Sequence, residues 1–117
     1  MAQDFFPART SEPDLRYVDV RLHGAGTSAP TKVYGLGVTV ARSGVGVYTL
    51  TFKRAPGSWV GFTFGLDSTT PANVKNHDVV CAATSTTVIT VNFFDAAGAA
   101  HDLVAGEWLN LQLRFRA

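Results

Sequence analysis

The sequence predicts a single all-β domain of about seven or eight strands, at the spacing of an antiparallel sandwich or barrel. Three observations lead there. The 117 residues hold 14 Val and 13 Thr against 2 Glu and 3 Lys. β-Branched side chains fit a pleated, half-buried surface, whereas Glu and Lys usually clothe helices. Apolar and polar residues alternate with a period of two over short runs, and 11 Gly and 5 Pro punctuate them. No window carries a convincing helical period.

The elements follow in order. Residues 1–14 are expected to form an extended N-terminal arm, because Pro7 and Pro13 block regular pairing and Arg9-Thr10-Ser11-Glu12 has no period. Fully extended, the arm spans roughly 45 Å. The sandwich domain is assigned to 15–117. Val18, Val20 and Leu22 alternate with Tyr17, Asp19 and Arg21, which marks a strand with one buried face. After the loop His23–Pro30, short strands are expected at Thr31–Tyr34 and from Val38. Ser43-Gly44-Val45-Gly46 turns the chain into a strand whose inner face is Tyr48, Leu50 and Phe52. Pro56-Gly57 makes a second turn. Trp59–Phe64 follows, with Val60, Phe62 and Phe64 expected on one side. Leu66–Asn76 is the longest expected irregular stretch. Asp78–Ala83 and Thr86–Phe94 are expected to pair through Thr84-Ser85. Asp95–Gly106 is an Ala- and Gly-rich loop with room for one helical turn. Leu109, Leu111, Leu113 and Phe115 then set a final inner face against Asn110, Gln112 and Arg114.

Charge narrows the function classes. Only 16% of residues are charged and the net charge is +1, against about 25% charged in ordinary domains. A nucleic-acid partner is not expected on this balance, since Lys53-Arg54 and the pair Arg114/Arg116 are offset by nine acids. A membrane span is not expected either, because no apolar run approaches the ~20 residues required. The single cysteine, Cys81, lies in an apolar run and is expected to act as a small core residue. Met1–Pro7 lacks the basic start and apolar stretch of a signal peptide, so synthesis in a reducing cytoplasm is expected.

No chemistry-bearing constellation stands out. His23, His77 and His101 are expected in exposed loops, and none belongs to a His-x-His pair, so no metal and no cofactor are expected. No Gly-x-Ser-x-Gly elbow occurs, and Asp67 and Asp78, flanking one loop, read as solvated turn residues. The clusters Gly24-Ala25-Gly26 and Gly44-Val45-Gly46 lack the P-loop Lys and lead into no helix. No enzymatic activity is therefore expected. Trp59 and Trp108 are the possible contact residues, as stacking platforms for a sugar or as packed aromatics.

Two stretches carry a resemblance. Arg42-Ser43-Gly44-Val45-Gly46-Val47-Tyr48-Thr49-Leu50-Thr51-Phe52 resembles the Arg-x-Gly-x-Gly-x-Tyr-x-Val-x-Phe hairpin of small bacteriophage virion proteins. The same hairpin occurs in phage-fibre domains similar to the trimeric jelly-roll heads of complement and tumour-necrosis-factor proteins. Val91 to Leu103, with its Asp-x-x-Gly turn at Asp95–Gly98, resembles a second stretch of that pattern. The resemblance implies an antiparallel β-sandwich of jelly-roll-like type and a trimeric virion structural protein without an active site. A short arm in place of a repetitive shaft departs from the fibre pattern and sits better with a capsid decoration (cement) protein.

The expected role is then to bind and stabilise the major capsid protein shell at the capsid surface. Phe5, Phe6, Pro7 and Arg9 of the arm would dock on the shell, and sandwich faces would meet around a threefold axis in a homotrimer. A tail, neck or fibre component is the alternative, with contacts carried by Ser68–His77 and Asp95–Gly106. A carbohydrate-binding module built on Trp59 and Trp108 is a second. Charges are expected mainly in loops and the arm, leaving outward strand faces of Thr, Ala, Asn and Gln.

Overall fold

A computed structural model describes residues 15–69 and 77–116. The arm calculated above, with Phe5, Phe6, Pro7 and Arg9, lies outside the described residues, as do 70–76. The described chain forms β1 (Leu15–His23), β2 (Thr31–Tyr34), β3 (Val38–Gly44), β4 (Val47–Phe52), β5 (Ser58–Ser68), β6 (Asp78–Ala83), β7 (Val88–Phe94) and β8 (Glu107–Arg116). Two four-stranded antiparallel sheets result, ordered β2-β1-β8-β5 and β3-β4-β7-β6. The sandwich is as expected. The strand order departs from a jelly roll, which pairs first strand with last, second with seventh and so inward; of those pairings only β1·β8 is present.

Period-two patterning builds the core. Val20 and Leu22 of β1, Tyr48, Leu50 and Phe52 of β4, Ile89, Val91 and Phe93 of β7, and Leu109, Leu111, Leu113 and Phe115 of β8 are all buried. These are the central strands of both sheets, so each sheet presents one apolar face to the other. Phe115 sits edge-on to Phe52 at 5.4 Å and to Trp59 at 5.5 Å, which ties the two sheets and β5 together at one end. Cys81 packs against this core, and burial pushes its thiol up to about 12. Such a thiol stays protonated and unreactive at neutral pH.

Strand β5 departs from the expectation. Its register slips between Trp59 and Gly61, so Val60 is the extra residue of a bulge. Trp59 therefore shares the inner face with Phe62 and Leu66, while Val60 is 48% exposed. The strand also runs on to Ser68, four residues beyond Phe64, because β8 offers a full-length partner as far as Glu107. The β6–β7 connection is longer than two residues, since the Thr84 N–H closes on the Val88 carbonyl at 3.0 Å. No helical turn forms after β7. Instead Asp95 accepts the Ala97 and Ala99 N–H groups on one carboxylate oxygen, at 2.9 and 3.0 Å, and holds a tight turn.

The β3–β4 turn is bolted to the loop before β8. Gly46 has φ +66°, and a Cβ there would stand 2.5 Å from the Phe93 carbonyl oxygen and 2.7 Å from that of His101. Its N–H donates to Asp102 at 2.9 Å and its carbonyl accepts from the Phe93 N–H at 2.8 Å. Asp102 also accepts two bonds from Arg42, at 3.0 and 2.9 Å, in a bidentate pair with both side chains largely covered. One turn further, the buried Tyr48 hydroxyl accepts the Leu103 N–H at 2.6 Å. Tyr48→Phe strands that N–H inside the core and is expected to cost about 1–3 kcal/mol in urea unfolding.

The hydrogen bonds from Arg42 hold the Asp102 carboxyl below its ordinary value, against the opposing effect of desolvation. A carboxylate with a depressed folded-state pKa adds stability that is complete above its unfolded value, near 3.9. That contribution decays as pH falls from there through the folded value. The melting temperature is thus expected to fall steeply below about pH 4. Asp102→Asn should be several degrees less stable at neutral pH and should show a shallower acid limb, read from melting curves between neutral and strongly acidic buffer.

Candidate interaction surfaces

The two outer faces of the sandwich differ in chemistry. On the β2-β1-β8-β5 side, Tyr17, Asp19 and Arg21 of β1, Asp67 of β5, and Trp108, Asn110, Gln112, Arg114 and Arg116 of β8 point outward. Arg21 bridges Asp67 at 2.7 Å, and the Asn110 amide donates to the same Asp67 oxygen at 3.0 Å. The Arg21 and Asn110 hydrogen bonds hold the Asp67 carboxyl below its ordinary value. The Arg21 guanidinium also lies 5.4 Å from the Trp108 ring, which stacks on His23 at 4.8 Å. This face carries charge, and its Arg21, Asp67 and Asn110 are paired with one another.

The opposite face is nearly neutral. Across β3-β4-β7-β6 the outward residues align in rows: Thr39–Thr51–Val88, Ala41–Thr49–Thr90–Ala82, and Val47–Asn92–Val80. Phe94 and Asp78 close the sheet at one corner. Asp78 is the sole charge among the strand residues of this face, and it sits at the edge with its carboxylate on the Val79 N–H, while Lys53 directly follows β4 at another edge. The neutral strand faces foreseen from composition thus exist, but on one sheet only. The strands of the other sheet carry much of the charge that was expected in loops and arm.

A cleft of about 650 Å³ opens where β5 and the β6–β7 turn diverge. Trp59, Ile89 and Phe115 make its apolar interior, Ser85 and its neighbours one lip, and Arg16 and Arg116 its rim. Arg16 donates to the Pro56 carbonyl at 3.2 Å.

The structure separates several residues that the sequence had grouped. Trp59 pairs with Phe115 and Trp108 with His23, seven residues apart along β8, or about 23 Å. Trp59 lines the cleft between the sheets, whereas Trp108 lies on the charged outer face, so they form no shared stacking platform. Asp67 and Asp78 lie on different sheets and are not a carboxylate pair. The histidines are not free in solvent, because each is half-buried by a neighbouring ring. His77 stacks on Phe93 at 5.1 Å and sits 5.1 Å from His101, and both of its ring nitrogens are buried without a hydrogen-bond partner among the described residues. Among the described residues, no three His, Cys, Asp or Glu side chains are placed to hold a metal. Gly24 serves close packing, since a Cβ there would stand 2.1 Å from the Val104 carbonyl oxygen.

The cleft was not legible in sequence, because its walls come from four segments spread over the whole chain. No family model, curated protein or solved structure matches the chain.

Proposed function

We propose that the protein is a non-enzymatic virion structural protein of the capsid-decoration type, which seats its neutral β3-β4-β7-β6 face on the major capsid protein shell. The observation that carries this reading is the division of charge between the two outer faces. A surface of Thr, Val, Ala and Asn is cheap to desolvate and still soluble when bare, whereas burying the Arg21–Asp67 face would strip ions of water. In this reading the charged face looks outward to solvent. The hairpin from Arg42 to Phe52, on which the resemblance to phage virion proteins rests, spans the end of β3 and all of β4 and so supplies Val47, Thr49 and Thr51 to the neutral face. Copies arranged as trimers on the shell would stabilise it by added contacts alone.

Mixing purified protein with shells that lack it, then counting bound copies per particle, tests the proposal. Hundreds of copies with raised shell stability are expected. A handful of copies confined to one vertex would instead favour a tail or neck component, and bare shells would sink the reading.

A further inference from the structure

We propose that the cleft between β5 and the β6–β7 turn receives the N-terminal aromatic pair Phe5-Phe6 of a neighbouring copy, a contact that links subunits and that builds on the assembly reading above. Three observations carry it. The cleft opens at one end of the sandwich onto the partly buried Trp59 and onto Ala55 and Ala83, with the buried Ile89 and Phe115 forming its floor. An aromatic anchor in an apolar pocket is the usual centre of a protein contact.

The second is position. Leu15, where the described chain begins, pairs with Arg116 on the cleft rim, so β1 starts beside this opening. Phe6 lies nine positions before Leu15, a reach of at most about 30 Å. Pro7 and Pro13 disfavour helical backbone in the residues before them, so this stretch is suited to crossing a gap rather than to doubling back. That favours a neighbour's cleft over the chain's own.

The third is charge. Residues 1–14 carry Asp4, Glu12 and Asp14 against the single base Arg9, while the rim carries Arg16 and Arg116. Asp4 directly precedes the aromatic pair, which places an acid where it can meet a guanidinium once the rings are seated. The sequence alone pointed the arm at the shell; the cleft offers it a built apolar seat on a second copy.

Disulfide trapping tests this. In full-length protein carrying Gln3→Cys and Ser85→Cys, mild oxidation is expected to give covalent dimers and trimers that disappear when Phe5→Ala and Phe6→Ala are added. Sedimentation is expected to show oligomers for the full chain and monomers after removal of residues 1–14. Crosslinks confined within one chain, no crosslinks, or identical sedimentation with and without the arm would overturn the proposal. Because shell binding is counted separately, trapping on a protein that leaves shells bare would sink the virion reading and keep this one. Decorated shells without trapping would do the reverse.

Discussion

Gly46→Ala is expected to be among the most destabilising single substitutions in this chain, costing about 3–5 kcal/mol. Two penalties add. An L-residue is strained at φ +66°, and its Cβ would press on two backbone carbonyl oxygens that belong to β7 and the loop after it. Backbone cannot step aside as a flexible side chain does. Relief would move the turn outward, breaking the Gly46 N–H bond to Asp102 and the bond from the Phe93 N–H. Urea unfolding at neutral pH measures it. A loss below about 1 kcal/mol would show that the turn is free to shift, since that is the ordinary cost of a surface change. Gly26→Ala makes a useful comparison, because it shares positive φ (+64°) but has open space around it.

Thr90→Lys is expected to leave shells bare while the protein itself stays folded. Thr90 lies mid-row between Thr49 and Ala82 on the neutral face. A lysine there would bring an unpaired charge into a contact that has no counter-ion, worth about 3 kcal/mol or roughly a hundredfold in affinity. As a half-exposed strand position it should cost the free protein about 1 kcal/mol or less. Gln112→Lys, on the charged outer face, is the matched control and should bind as the parent does. Equal shell binding by both variants would show that the neutral face is not the contact.

Much of the fold was legible because strands announce themselves locally. Leu109 to Phe115 alternates without a fault, and the structure buries every second residue there. What escaped depends on partners distant in sequence. The bulge at Val60 is set by pairing with β8, some fifty residues later, and no local pattern marks it. The stacking of His77 on Phe93 and beside His101 joins three places on two loops and a strand. Leu103 looked like one more residue of an Ala-rich loop, yet it is fully buried beneath the Tyr48 hydroxyl. The neutral surface was legible as composition. Its confinement to one side was not, because composition carries no sense of which sheet a strand joins.

That one-sidedness has a consequence in solution. At physiological ionic strength, charges farther apart than about 8 Å are largely screened, so attraction between ionic surfaces fades as salt rises. A contact made through Thr49, Thr90, Val80 and Val88 has almost no long-range field to lose. It would form without electrostatic steering, and therefore slowly, yet hold equally well in dilute buffer and in brine. Sulfate or other excluded salts should strengthen it.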